Sequence, residues 1–157
     1  MTVCIGIDPG ASGAIAIYEP ELGLLTVYDM PIVEVIRGGK AKKEVSAYSL
    51  AVIIREYKPT TVTLEKVGAM PGQGVSSMFQ FGRGVGMIEG VVAGLQMPLD
   101  YVTPQKWQKA VGMRAGKDGA RERAAQIFPA YASQFSRKKD DGRADAALIA
   151  YWSFTKP

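Results

Sequence analysis

Four carboxylates, Asp8, Glu65, Asp141 and Asp145, are the residues of this 157-residue chain whose spacing best suits chemistry. Asp8 follows a short apolar run in the segment IGIDPG, and Asp141 and Asp145 lie in DDGRADA, where an apolar helical stretch begins. Acidic side chains gathered from strand ends and a helix need a compensating cation. In a basic protein that cation is Mg²⁺ or Mn²⁺, held by oxygen ligands beside a phosphate substrate. The sequence therefore predicts metal-assisted phosphate chemistry.

The composition excludes several other kinds of site. The chain has no histidine, which rules out His-ligated zinc, a Ser-His triad and an imidazole general base. Its one cysteine, Cys4, lies in an apolar strand and is expected to be a buried, reduced thiol. The formal net charge of +4 fits a polyanionic partner, although simple solubility is the alternative explanation for so small a surplus.

We expect residues 1–157 to form a single α/β domain, because a chain of this length with 47% hydrophobic residues can bury a real core. No charged segment followed by an apolar one opens the sequence, and no apolar run approaches the length of a membrane span. The expectation is a soluble, cytoplasmic protein that does not bind membranes.

The first half of the chain predicts closely spaced strands. Residues 3–8, 14–18 and 24–29 are β-rich, and their linkers are too short for parallel crossovers, so we expect an antiparallel meander. Residues 31–43 are polar and basic and contain two adjacent glycines. This segment is either a mobile loop or an extended ribbon.

The rest of the chain alternates helical and β-rich patterns, which implies crossovers and a mixed sheet. Strands are predicted over residues 61–65 and 98–102, and helices over residues 46–57, 76–96, 104–110, 118–128 and 141–154. Thr103 is the expected N-cap of the third helix, with Pro104 in its first position.

Glycines recur every fourth residue in the predicted helix 76–96, so they lie on one face; they are Gly82, Gly86, Gly90 and Gly94. Each glycine costs a helix interior about 1 kcal/mol relative to alanine, so we expect close packing on that face. Two alternatives remain open. The face is either a groove lying against the sheet or a tight helix–helix contact between subunits.

Five motifs in register resemble the RuvC family of Holliday junction resolvases, within the RNase H-like superfamily, and most of all its phage or prophage versions. The motifs are GIDPG at 6–10, LEK at 64–66, GRGVG at 82–86, TPQKW at 103–107 and RADAA at 143–147. The resemblance implies an RNase H-like fold, in which helices flank a five-stranded mixed sheet of three antiparallel and then parallel strands. It also implies a metal-dependent endonuclease that resolves four-way DNA junctions by paired hydrolysis. The implied cofactor is a pair of Mg²⁺ ions, replaceable by Mn²⁺, with no nucleotide cofactor, and the implied assembly is a homodimer.

By position, the resemblance assigns Asp8, Glu65 and Asp145 as metal ligands and catalytic residues. The family commonly has another acid three residues before the last aspartate, but position 142 here is glycine. Asp141, four residues before Asp145, lies on the same helical face and is our assignment for the fourth ligand. Asp140 is the alternative for that role, and otherwise a helix cap.

Basic residues near the proposed metal-binding helix are candidate DNA contacts. We predict that DNA is bound by Lys109, Lys117, Arg114, Lys138, Lys139 and Arg143. Lys109 or Lys117 would stabilise negative charge on the phosphate, and Lys106 is a weaker candidate. Family members often insert an aromatic residue into the junction centre; here Met70 or Phe79 would serve, unless both are core residues.

Three other functions fit parts of the pattern. The IGIDPG turn also resembles the phosphate loop of actin-like and sugar-kinase ATPases, but those proteins need a second lobe that 157 residues cannot supply. An RNase H-like nuclease acting on RNA or on other branched DNA is the enzymatic alternative. A non-catalytic junction-binding protein is the alternative of a different class.

Overall fold

The computed structural model describes residues 1–157 and contains seven strands and five α-helices. The strands are β1 (Cys4–Asp8), β2 (Ala14–Glu19), β3 (Leu24–Asp29), β4 (Ile32–Arg37), β5 (Lys40–Val45), β6 (Thr61–Glu65) and β7 (Leu99–Val102). The helices are α1 (Ala47–Tyr57), α2 (Val75–Gly94), α3 (Pro104–Ala110), α4 (Gly119–Ile127) and α5 (Asp141–Thr155). Short 3₁₀ turns occupy Pro20–Leu22, Pro129–Phe135 and Lys138–Asp140.

The main sheet has five strands in the order β3-β2-β1-β6-β7. The first three strands pair antiparallel, and β6 and β7 extend the sheet in parallel from β1. The predicted meander and the predicted mixed sheet are therefore both confirmed. Because β1 and β6 are parallel neighbours, with Ile7 opposite Leu64, their carboxyl ends meet at one edge of the sheet.

Each face of the sheet has its own hydrophobic core. Ile5 and Ile7 point towards α1 and α2, whereas α3, α4 and α5 cover the other face. Gly6 faces α5, and a Cβ there would lie 2.3 Å from the backbone oxygen of Ala146 and 2.4 Å from the backbone nitrogen of Ala150. Only a residue without a side chain allows this approach, so α5 packs backbone to backbone on the central strand.

The basic segment after β3 is a β-hairpin. Strands β4 and β5 pair with each other in a separate two-stranded sheet, and Gly38 and Gly39 form the turn with positive φ angles of 57° and 74°. Positive φ at both central residues is the geometry that favours a tight hairpin. The extended-ribbon alternative is therefore confirmed, and the loop alternative is wrong.

Helix α3 begins at its predicted cap, and α1 begins at a cap that the sequence analysis had placed inside the helix. Thr103 accepts a hydrogen bond from the backbone N–H of Lys106, with Pro104 in the first position of α3, and Ser46 caps α1 in the same way. Each cap satisfies a backbone donor that the helix leaves free. None of the helices combines the length and the apolar composition that crossing a membrane requires.

The glycine row of α2 lies on the side of the helix that faces away from the sheet. The buried positions of α2 are Gly84, Ile88 and Val92, on the opposite side. A Cβ would meet no atom within 4 Å at any of the four row positions, Gly82, Gly86, Gly90 and Gly94. The expectation of a groove against the sheet is therefore wrong, because the row points to solvent.

Candidate functional site

The four predicted acids lie on three elements that meet at the carboxyl ends of the central parallel strands. Asp8 is the last residue of β1, and Glu65 is the last residue of its neighbour β6. Helix α5 begins at Asp141 and carries Asp145 one turn later. A Cβ on Gly142 would lie 3.2 Å from Oδ2 of Asp8, so the first turn of α5 rests against the Asp8 carboxylate.

The negative charge of this region has no cationic partner at its centre. Burial raises the pKa of Asp8 to about 9, with further contributions from Asp145 and Glu65. Burial, Glu65 and Asp141 together raise the pKa of Asp145 to about 7. Acids that sit close together and partly out of water are disfavoured in their charged form. The site therefore gains stability from any cation that binds there.

The chemistry of the donors fits a hard divalent cation. Mg²⁺ prefers carboxylate oxygens, keeps several waters, and is usually held by one or two carboxylates together with substrate phosphates. No group of three acidic, histidine or cysteine side chains converges closely enough to enclose an ion on its own. An open arrangement of this kind fits ions that are bound jointly by the protein and a phosphate.

Glu65 is oriented by a tryptophan. The indole N–H of Trp107, on α3, donates to Oε2 of Glu65 at 2.6 Å, and Trp107 is fully buried while Glu65 is 7% exposed. Burial raises the pKa of Glu65, and the hydrogen bond from Trp107 opposes that rise. The bond therefore holds the carboxylate in position and favours its ionised form.

Asp141 and Asp140 have different surroundings. Arg121 of α4 donates from Nε to Oδ1 of Asp141 at 2.8 Å, and also pairs with Asp118. The Asp141 side chain is 51% exposed and lies near Asp145, whose pKa it raises. This position is compatible with a metal ligand. The contact of Arg121 with Asp141 was not predicted, because no local spacing rule links residues twenty apart.

Asp140 is bound on the other side of the helix start. Its carboxylate accepts hydrogen bonds from the backbone N–H and the guanidinium of Arg137, and its side chain is 1% exposed. Burial would raise the pKa of Asp140, but the bonds from Arg137 outweigh it and lower the pKa. The side chain of Asp140 makes no capping hydrogen bond to α5, so it is not the cap of that helix. It is also buried against Arg137, which leaves it no open position as a metal ligand.

Gly142 explains why the acid expected at this position is missing. A Cβ there would lie 2.8 Å from the backbone oxygen of Ser12 and 3.2 Å from the carboxylate of Asp8. Any side chain would force the turn after β1 and the start of α5 apart. An acidic side chain therefore does not fit at position 142, and Asp141 stands one residue earlier.

Two of the predicted DNA contacts lie beside the carboxylates. Lys117 and Lys138 line a cleft of about 510 Å³ together with Asp118 and Asp141. Lys109 and Lys139 are exposed but do not line this cleft. A phosphate in the cleft would meet two ammonium groups next to the proposed fourth ligand.

The two arginines on the predicted contact list already have acidic partners. Arg143 donates from Nε and Nη2 to the two carboxylate oxygens of Asp29, at 2.8 and 2.9 Å. Arg114 pairs with Glu122 at 2.9 Å on the surface. Their charges are partly compensated within the chain, which makes them weaker attractors of phosphate than the lysines.

The candidate wedge residues are both exposed. Met70, in the loop after β6, is 63% exposed, and Phe79, in the second turn of α2, is 65% exposed. The alternative that both are core residues is therefore wrong. Val75 lies between them in sequence and is 89% exposed, so three apolar side chains project from this segment.

Comparisons with known proteins identify the fold. No protein-family model and no curated protein matches the chain. The RuvC of Thermus thermophilus in complex with Holliday junction substrate is similar, with a TM-score of 0.64 and 12% identity over 99% of this chain and 97% of that chain. A second Thermus thermophilus RuvC structure has a TM-score of 0.61 and 14% identity, over 98% of this chain and 96% of that one.

A yeast mitochondrial Holliday junction resolvase aligns with a TM-score of 0.48 and 14% identity, over 93% of this chain and 75% of that chain. The two Thermus structures show that this chain has the RNase H-like fold of RuvC. The predicted fold class is therefore confirmed.

Proposed function

We propose that this chain is a metal-dependent, structure-selective endonuclease that resolves four-way DNA junctions by paired phosphodiester hydrolysis. The observation that carries the proposal is the uncompensated group of acids, Asp8, Glu65 and Asp145, at the carboxyl ends of β1 and β6 and on α5. The similarity of the fold to a RuvC solved with a Holliday junction supports DNA as the substrate.

In this proposal, Asp8, Glu65, Asp141 and Asp145 are the catalytic residues and hold two Mg²⁺ ions, with Mn²⁺ as a substitute. When bound, the ions supply Lewis-acid chemistry that activates water and neutralises charge on the phosphate. Asp8 ends the central strand of the sheet and would be one of the metal ligands. Trp107 would keep Glu65 oriented, and its hydrogen bond opposes the rise in the pKa of Glu65 that burial causes.

Lysines beside the acids would position the DNA backbone. Lys117 and Lys138 are the strongest candidates because they share a cleft with Asp141. Lys109 and Lys139 would contact phosphates farther along the strand. Arg114 and Arg143 remain candidate contacts, whose guanidinium groups would have to be shared with their acidic partners.

The exposed apolar segment after β6 would open the junction centre. Met70 is the proposed wedge, and Phe79 on α2 is the alternative, because both side chains project into solvent. Apolar side chains that insert between base steps unstack them and kink the duplex.

The proposed assembly is a symmetric homodimer. A four-way junction presents two equivalent strands, and two related active sites would cut both in one encounter. The exposed glycine face of α2 supports this assembly, since it lets a second helix approach closely. We propose in addition that the protein is of the phage or prophage type and acts in the cytoplasm of a bacterial or phage-infected cell, without a membrane or a nucleotide cofactor.

A substrate panel tests the activity. The protein is incubated with Mg²⁺ and a synthetic four-way junction, a linear duplex, a flap or an RNA–DNA hybrid of matched length. We expect paired nicks in the junction alone, leaving 5′-phosphate and 3′-hydroxyl ends. Preferred cutting of the hybrid or the flap would instead establish the alternative of an RNase H-like nuclease on RNA or other branched DNA.

The open spacing of the acids also keeps a non-catalytic junction-binding protein as a second candidate. Calorimetric titration with Mn²⁺ separates the two, because the nuclease must bind metal through Asp8 and Asp145. Metal binding that Asp8→Asn abolishes supports the nuclease. Tight junction binding without metal binding or cleavage would establish the non-catalytic function.

A further inference from the structure

A second groove lies on the opposite side of the sheet from the cleft that Lys117 and Lys138 line. It has a volume of about 670 Å³ and runs between the β4–β5 hairpin, the first turns of α2 and the turn that follows β1. Ser12 lines it at the end nearest the metal-binding acids. The backbone oxygen of Ser12 and the carboxylate of Asp8 both lie within 3.2 Å of the Cβ position of Gly142, so the groove opens beside the proposed reaction centre.

Two partly buried ion pairs fix the outer wall of this groove. Glu44 of β5 is 8% exposed and accepts hydrogen bonds from Arg37 of the hairpin at 2.5 Å and from Arg83 of α2 at 2.6 Å. Val45 packs against Gly84, where a Cβ would be 3.4 Å from the valine methyl. The hairpin makes no strand pairing with the main sheet, so these contacts hold it in place.

The lining of the groove is basic and rich in hydroxyl groups. Lys42, Lys43 and Arg83 line it against a single carboxylate, Glu44, and neither lysine makes an ion pair. Ser12, Ser76 and Ser77 add hydroxyl donors. Cations combined with neutral donors along an open groove are the chemistry that binds a sugar–phosphate backbone.

We infer that this groove binds the backbone of a DNA strand that continues past Asp8, so that the strand is held on both faces of the sheet. Lys117 and Lys138 hold the backbone on one side of the reacting phosphate, and Lys42 and Lys43 hold it on the other. The inference rests on the proposed function in one respect. The phosphate that lies between the two grooves is the one that the proposed nuclease would hydrolyse.

The test measures DNA binding in EDTA by fluorescence anisotropy, with a labelled four-way junction and a labelled duplex. The groove variant is Lys42→Gln with Lys43→Gln, which removes two charges without filling the groove. The matched control is Arg55→Gln with Lys58→Asn on α1, which removes the same charge away from the groove. Asparagine suits position 58 because Lys58 has a positive φ of 47°.

We expect the groove variant to bind about 10- to 100-fold more weakly in 0.1 M salt, and its plot of log affinity against log salt to lose a slope of about 2. The control should stay within about threefold of the wild type, because its two charges do not line the groove. Equal affinity and equal salt slope for the groove variant and the control would overturn the inference.

The outcome is distinct from that of the substrate panel. A wild-type protein that cuts no DNA, with a groove variant that still binds more weakly than the control, refutes the nuclease and retains the groove. A wild-type protein that cuts junctions, with groove and control variants that bind alike, retains the nuclease and refutes the groove. Circular dichroism of both variants verifies that the fold is retained, as we expect because neither lysine is buried.

Discussion

Replacing Trp107 with phenylalanine tests whether the site depends on the orientation of Glu65. The substitution keeps an aromatic ring in the core formed by α3, α5 and the sheet but removes the N–H that donates to Glu65 at 2.6 Å. The carboxylate, which is 7% exposed, then has no other donor among the hydrogen bonds of the chain. We expect it to rotate or to take up a proton.

The expected loss follows from the strength of that bond. A hydrogen bond to a charged group contributes about 1.5–3 kcal/mol. Since each 1.36 kcal/mol changes a rate tenfold, junction cleavage should slow by roughly 10- to 150-fold. Without the indole, the pKa of Glu65 rises further above its ordinary value, so the acid limb of the pH profile of cleavage should move to higher pH.

The assay is single-turnover cleavage of a four-way junction with saturating Mg²⁺ across a range of pH. Trp152→Phe is the matched control, because Trp152 lies in the same core, is 6% exposed, and contacts the ammonium groups of Lys106 and Lys156 rather than an acid. Both substitutions shrink a buried ring, at a cost of about 1–3 kcal/mol in the free energy of unfolding. Denaturant unfolding measures that shared cost.

Cleavage that falls equally in the two variants would refute the reasoning, since packing alone would then explain the loss. An unchanged acid limb in Trp107→Phe would likewise show that the indole does not control the ionisation of Glu65. Support requires a larger loss for Trp107→Phe together with the shift in pH.

Three further predictions concern the acids and the glycine face. Asp8→Asn should abolish cleavage yet raise the melting temperature of the metal-free protein at pH 7–8 by roughly 4–10 °C. The reason is that an acid whose pKa is raised to about 9 in the folded protein destabilises the fold as the pH rises. A normal rate of cleavage would refute the assignment of Asp8 as a metal ligand. Asp141→Asn should abolish cleavage as Asp145→Asn does, whereas Asp140→Asn should lower the melting temperature and spare cleavage, and the reverse ranking would move the fourth ligand. Gly86→Leu should dissociate the dimer in light scattering while circular dichroism stays unchanged, since a Cβ at position 86 meets no atom of the protomer within 4 Å. A monomeric wild type, on and off DNA, would contradict the dimer.

Local patterns of the sequence predicted the elements and most of the acids. The short linkers between the first three strands forced an antiparallel meander, and Thr103 with Pro104 marked the start of α3. Asp8 and Glu65 stand at strand ends, and parallel pairing of those strands brings them to one edge. Each of these inferences needs only neighbours in sequence and the geometry of one element.

Contacts between distant elements could not be predicted. Trp107 reaches Glu65 across 42 residues, and Arg121 reaches Asp141 across 20, so no spacing rule connects either pair. The side of α2 that carries the glycine row could not be predicted to face either the sheet or solvent, because a face of small residues is compatible with both. Glu44 holds the hairpin through Arg37 and through Arg83, which is 39 residues away in sequence. The bond to Arg83 orders a segment whose sequence alone also suits a mobile loop.

The contact between Gly6 and α5 makes the geometry of the proposed metal site a property of main-chain spacing. Asp8 and Asp145 belong to different elements, and the distance between those elements is set where Gly6 meets the backbone at Ala146 and Ala150. One methyl group at position 6 would act as a spacer and lift the helix, moving Asp145 away from Asp8 without altering any ligand. A redesign of this scaffold for a larger ion would therefore begin at residue 6, which coordinates nothing.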